Sequence, residues 1–124
     1  MIHYIENSPT SAKNIADLRE AVGWNRMESV YKNPSMNSYF HIAAYDSEKL
    51  IGYIDSVSNG VTDLMVHPDY KGIGTDLMNR MIAELKRRNI YMISVVFEEK
   101  LRPFYSRFGF FEMLCGQMQT YESE

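Results

Sequence analysis

The segment Val61-Thr62-Asp63-Leu64-Met65-Val66-His67-Pro68-Asp69-Tyr70-Lys71-Gly72-Ile73-Gly74-Thr75 decides how the chain is read. Val61 to Val66 reads as a strand, and from Thr75 onward Leu77, Met78, Met81, Ile82 and Leu85 form one apolar helical stripe. Lys86, Arg87 and Arg88 follow, where cations suit the negative end of the helix dipole. The loop between strand and helix carries Gly72 and Gly74. Glycine lets a backbone approach a ligand closely, and the free first-turn N–H groups favour an anion. Hydrogen bonds to charged groups contribute about 1.5–3 kcal/mol each, so several such donors could hold a diphosphate without a large basic patch. A lone G-x-G pair also serves as a simple tight turn, so its context decides. No G-x-x-x-x-G-K-[ST] loop is present, nor a third glycine with the acidic residue of a dinucleotide fold.

Downstream, Tyr91 to Phe97 is a continuous apolar run, expected to be a strand buried on both faces and paired in parallel with an earlier one across the helix. Pro103 opens a short helix carrying Phe104, Tyr105 and Phe108, Gly109 closes it, and a last strand is expected through Phe111 to Tyr121. Upstream, Ile2 to Glu6 alternates as a strand. Ile15, Leu18 and Val22 recur at helical spacing behind the cap candidates Thr10 and Ser11, and Gly23 ends that helix. Met27, Val30 and Tyr31 suggest a second short helix. Tyr39 to Tyr45 and Leu50 to Ser56 read as strands flanking the turn Asp46-Ser47-Glu48-Lys49, with a hairpin expected around Ser58-Asn59-Gly60. The order β-α-α-β-β-β-α-β-α-β implies an α/β fold of the α+β type. Its mixed sheet is mostly antiparallel, has a central parallel β-α-β step and carries helices on both faces.

Length and composition bound the function. At 124 residues there is material for one core, since domains cluster at roughly 100–150 residues. A net charge of -3 and a pI near 5.6 supply no broad positive field, so nucleic acid is not expected as a partner. No apolar run approaches membrane-spanning length and the amino terminus lacks a basic start before an apolar stretch, so a cytoplasmic location without a membrane partner is expected. Cys115 is the single cysteine, which fits a reducing compartment, and it is expected to be a buried filler; the nine methionines are expected mostly to pack. His3, His41 and His67 show no ligand spacing, so no metal is expected.

With these residues in hand, the chain resembles the GNAT superfamily of N-acetyltransferases, and in its amino-terminal half a branch of small bacterial members. The acetyl-coenzyme A motif of the superfamily is a strand, V-x-P and then [QR]-x-x-G-x-[GA] opening a helix. Met92 to Val96 and Phe104-Tyr105-Ser106-Arg107-Phe108-Gly109-Phe110 are similar to the following strand and the F-Y-x-x-x-G-F segment. Asp69 stands where the family places glutamine or arginine. Against P-x-Y-Q-x-x-G-I-G the loop is two residues short, so either it is truly shortened or residues of a mobile loop are missing between Tyr70 and Lys71.

The resemblance implies a single acyl-CoA N-acyltransferase domain over residues 1–124, with acetyl-CoA as cofactor and a small-molecule or peptide amine as acceptor, reacting by direct attack in a ternary complex. It implies cofactor contacts from Leu64, Met65, Val66, Tyr70, Lys71, Gly72, Ile73, Gly74, Thr75, Phe104 and Tyr105. In the family the strand matching Asp63 to Val66 splays from the strand matching Ile93 to Val95, and pantetheine slots between them. A homodimer through the last strand is left open.

Acyl transfer from a thioester needs a neutral amine, a stabilised oxyanion and a proton for the leaving thiolate. Tyr105 is the candidate acid, since a phenol near pKa 10 lies close to a thiol. Asp63 and Asp55 are candidates for deprotonating or binding the amine, and Trp24 is a candidate wall of the acceptor pocket. His67, beside a proline at a strand end, reads as structural. The competing readings are a non-catalytic acyl-CoA sensor and a plain interaction domain.

Overall fold

The computed structural model describes residues 1–34, 38–57 and 60–120. The elements are β1 (Ile2–Glu6), α1 (Ala12–Ala21), α2 (Glu28–Tyr31), β2 (Phe40–Asp46), β3 (Lys49–Ser56), β4 (Val61–Val66), α3 (Ile73–Arg87), β5 (Ser94–Val95), a 3-10 turn at Glu99–Leu101 and α4 (Arg102–Ser106). One sheet runs β1-β2-β3-β4-β5, antiparallel at the first three junctions and parallel between β4 and β5. This is the mixed sheet with a parallel step that the element order implied.

The helices cover opposite faces. On α3 the buried positions Ile73, Leu77, Met78, Met81 and Leu85 pack over Phe40, Ile42, Ala44, Ile51 and Ile54. Gly52 makes the close approach possible: a Cβ there would stand 2.9 Å from both Ile73 Cγ2 and Leu77 Cδ1. Helix α1, capped by Ser11, whose Oγ accepts from the Asn14 N–H at 3.1 Å, lays Ile15 and Leu18 on Ala43, Leu50, Tyr53 and Met65 of the other face. A bulge between Ala44 and Tyr45 returns β2 to register, so that Leu50 faces α1 while Ile51 and Gly52 face α3.

Several expectations are corrected. The strand expected over Tyr91 to Phe97 forms only at Ser94–Val95, and Tyr91 is 94% exposed rather than buried. No strand forms over residues 111–120, and Tyr121 lies outside the described residues. An apolar run becomes strand only where a partner edge accepts its ladder, and among the described residues nothing pairs with the outer edge of β5. Cys115 is exposed, as are Met113 and Met118, although Met65, Met78 and Met81 are core. Ser58 and Asn59 of the expected hairpin turn lie outside the described residues. On either side of them Val57 N–H donates to the Val61 carbonyl at 3.0 Å. The loop after β4 is truly short: the Tyr70 N–H donates to the His67 carbonyl at 3.1 Å, and Lys71 follows directly before the cap residue Gly72.

Candidate active site

The parallel ladder between β4 and β5 is two pairs long, Val61 opposite Ser94 and Thr62 opposite Val95. Beyond it the ladder stops, since β5 ends at Val95 while β4 runs on to Val66, and no strand among the described residues pairs with the Leu64–Val66 edge. The direction of the β4 backbone follows from two bonds to β3, His67 N–H to the Ile51 carbonyl at 2.7 Å and Val57 N–H to the Val61 carbonyl, which assign the odd-numbered residues of β4 to β3. By alternation Leu64 and Val66 turn their N–H and C=O groups toward the side of β5. Met65 is buried under α1 and, as an odd-numbered residue, turns its backbone to β3, so it offers a ligand nothing; Ile73 is buried against the sheet and offers only its backbone.

Through the turn after Val66, β4 leads to the amino terminus of α3. Its cap, Gly72, sits at φ 79° and has no side chain to accept from the first-turn amides. The amides of Ile73, Gly74 and Thr75 lie in the first turn, where no carbonyl of the same helix precedes them. A Cβ on Gly72 would meet nothing within 4 Å, so its surroundings are open and the left-handed φ is what requires glycine. Gly74 is glycine for packing: a Cβ there would stand 3.3 Å from Phe104 Cζ, placing that ring against the first turn of the helix. Lys71 is exposed beside the cap. Tyr70 is engaged elsewhere, its hydroxyl donating to Asp46 at the β2–β3 turn at 2.8 Å. His67 is part of the turn itself, its Nδ1 accepting from the Asp69 N–H at 3.2 Å.

Helix α4 packs Tyr105 among the side chains of this region. Its ring stacks on Phe97 at 4.6 Å and meets Phe104 and Phe110 edge to face. The residue is 6% exposed, and its hydroxyl has no hydrogen-bond partner among the described residues. Burial first, and then the negative field of Asp63, push the phenol up to about 12. The field links Tyr105 to the acid pair that sequence reasoning had picked residue by residue.

Asp63 of β4 and Asp55 of β3 are register partners and share the face covered by α1. Neither has an ion-pair partner among the described residues. The Arg19 guanidinium lowers both by its field, but its hydrogen bonds go to the Asn25 carbonyl, the Tyr31 hydroxyl and Met27 Sδ. Asp63 is exposed at the edge of this face, yet the protein packed around its carboxyl displaces enough water to raise it above its ordinary value. Burial and then the charge of Asp63 raise Asp55 to about 7. Trp24 lies under the same guanidinium, 5.3 Å from ring centroid to Cζ, at the loop between α1 and α2. Arg19, Tyr31 and Tyr53 complete this surround and were not singled out from sequence. The period of two along β3 puts Tyr53 on the face of Asp55, and four-residue spacing puts Arg19 beside Ile15, so both were within reach of the pattern.

A stability signature follows from Asp55. Between about pH 4, where an unfolded aspartate ionises, and about pH 7, the folded chain holds a proton that the unfolded chain has released. Stability associated with this group is therefore full at low pH and lost as pH rises through 7. Asp55→Asn removes the dependence. Thermal unfolding should show the variant more stable than the parent at pH 8, by at most about 4 kcal/mol at ~1.36 kcal/mol per pKa unit, with the gap closing near pH 4. A constant difference across that range would refute the assignment.

Comparison with known proteins agrees with the fold. The profile of the acetyltransferase (GNAT) domain matches residues 9–120. An uncharacterized N-acetyltransferase, ycf52, of Pyropia yezoensis is 25% identical over 121 aligned residues, covering 88% of this chain and 70% of the relative. A protein of unknown function, SA2161, from meticillin-resistant Staphylococcus aureus superposes with a TM-score of 0.83 at 20% identity, over 98% of this chain and 100% of that one. A GNAT family acetyltransferase from Brucella melitensis, solved in complex with acetyl-CoA, superposes with a TM-score of 0.70 at 17% identity, over 100% of this chain and 94% of its own. The chain belongs to the GNAT acetyltransferase family.

Proposed function

We propose that the protein transfers an acetyl group from acetyl-CoA to a primary amine, with both substrates bound at once. The observation that carries this reading is the presence around the end of the β4–β5 ladder of three features. These are the open helix terminus at Gly72, the strand edge of Leu64 and Val66 beyond the last β4–β5 pair, and Tyr105, whose ring packs among these residues and feels the field of Asp63.

Acetyl-CoA would supply the activated acyl group as a thioester. The first-turn amides of α3 would hold its diphosphate, with Lys71 beside them, and the Leu64 and Val66 backbone would pair with the amides of its arm. Asp69, the acidic residue in the loop, is 84% exposed on its side chain and so adds little field at the helix terminus. Asp63 takes a proton from the incoming ammonium. Its raised affinity for protons narrows the gap to an amine of reference pKa ~10.4, which favours that transfer. Tyr105 stays protonated through the working range and donates to the departing sulfur. The C–N bond forms as the C–S bond breaks, the second nitrogen proton returns to the Tyr105 oxygen that protonated the sulfur, and the amine leaves as an amide.

The test is to incubate the protein with acetyl-CoA and a panel of primary amines while following free thiol. Amine-dependent thiol release is the expected result. Binding of acetyl-CoA with no release on any amine would favour the sensor reading, and absence of binding would favour an interaction domain.

A further inference from the structure

Two stretches of the chain are shaped to pair and find no partner among the described residues. The first is the outer edge of β5. The Ser94 N–H donates to the Gly60 carbonyl at 3.0 Å, which turns the Ser94 backbone toward β4 and, by alternation, leaves the N–H and C=O groups of Ile93, Val95 and Phe97 facing outward. The side chains alternate too: Ile93, Val95 and Phe97 pack on the α3 core, while Met92 and Val96 stand exposed. The pleat of a strand thus extends past the two residues that have a ladder, and its outer side is an open edge. The second stretch is Phe110 to Leu114, whose main chain makes no main-chain hydrogen bond among the described residues. Here and just beyond, Phe111, Met113, Leu114 and Met118 are 70–105% exposed.

Within one copy the two stretches do not join, because a cavity of about 670 Å³ lined by residues 91–97 and 108–115 lies between them. The charges that line it are already paired, Arg102 with Glu112 at 3.0 Å and with Glu99 at 3.8 Å, so the slot suits an apolar strand rather than an ionic ligand. A second copy supplies that strand. Each copy owns one open edge and one unpaired apolar segment, and a two-fold arrangement in which each segment enters the other's slot satisfies both at once. The strands then run in the order β5, partner's segment, own segment, partner's β5. The area agrees. With Tyr91, Met92 and Val96, the exposed side chains of the two stretches present on the order of 1,000 Å² per copy at roughly 150–200 Å² for a large side chain, against the ~800 Å² per partner of a standard interface. A monomer rarely leaves more than a few hundred Å² of contiguous apolar surface in water.

We infer that two copies form a two-fold dimer in which residues 110–118 of each add as a strand to the β5 edge of the other. Phe97 and Phe110 line the slot and also pack against the Tyr105 ring, so the incoming strand braces the candidate acid as well. Light scattering after size exclusion, run on the whole chain over a dilution series without acetyl-CoA, should give twice the chain mass of 14.5 kDa at high concentration. Leu114 is fully exposed, so Leu114→Glu removes no packing within its own copy, yet in the dimer it sets two carboxylates into the shared sheet. It should weaken association by about a hundredfold or more, with the circular dichroism of the fold retained. Amide hydrogen exchange is the second readout: protection at Val95, Phe97 and residues 110–114 should rise with protein concentration in the parent and stay low in the variant. A parent that weighs 14.5 kDa at every concentration, or a dimer that Leu114→Glu leaves intact, would overturn the inference. So would protection that ignores concentration, the sign of a chain that fills its own slot.

Discussion

Tyr105→Phe should lower the rate of acetyl transfer by about 10²–10³-fold while the protein folds as before. The substitution removes one hydroxyl from a ring that keeps its stacking on Phe97 and its edge contacts to Phe104 and Phe110. No intramolecular hydrogen bond to a described residue is lost with it. The loss is expected in kcat with acetyl-CoA at saturation, because the donor acts as the C–S bond breaks. Thermal unfolding and thiol release measured side by side decide the matter. A variant as stable as the parent that transfers within threefold of its rate would show that Tyr105 is only a packing residue. The phenol value of about 12 bears on the same test. If Tyr105 must be protonated, the alkaline side of the pH–rate profile should show no loss near pH 10.

The second large effect concerns how α3 is seated. Leu77→Ala should destabilise the protein by about 2–5 kcal/mol, since the side chain is completely buried where the helix crosses the sheet. Gly52→Ala should cost about 1–3 kcal/mol, because its new methyl group would press on Ile73 Cγ2 and Leu77 Cδ1 at 2.9 Å. The informative variant is the double. A methyl at residue 52 partly refills the space that Leu77 vacates, so the double variant should be more stable than the sum of the singles predicts. Strict additivity in denaturant unfolding would mean that α3 lifts as a body instead. Both singles disturb the seat of the helix whose first turn carries Gly72 and Gly74.

The parts of the fold that were legible in the sequence are those in which local pattern and tertiary partner coincide. Strand β4 runs from Val61 to Val66 as read, since its turn signals and apolar run meet a ready edge in β3. Helix α3 was legible because its stripe matches a full face of the sheet, although it begins at Ile73, two residues earlier than the stripe. The carboxy-terminal run failed for the opposite reason. Phe111, Met113, Leu114 and Met118 have strand-like composition, but composition does not supply a partner, and these side chains stay exposed. The same holds for Tyr91 and Met92 ahead of β5. For the candidate site, the glycine loop, Tyr105 and both aspartates were readable as residues. The facing of Asp63 and Asp55 was not, because it depends on the register of the β3–β4 hairpin.

The brevity of the β4–β5 ladder divides the molecule mechanically. Strands β1 to β4 with α1 and α3 are cross-braced by long antiparallel pairings, while residues 94–120 are stitched to them by two pairs and the aromatic packing around α4. Partial opening at native conditions therefore belongs to the carboxy-terminal piece, which could loosen without melting the remainder. A guest laid along the unpaired end of β4 would act as the missing rung and fasten the two pieces together.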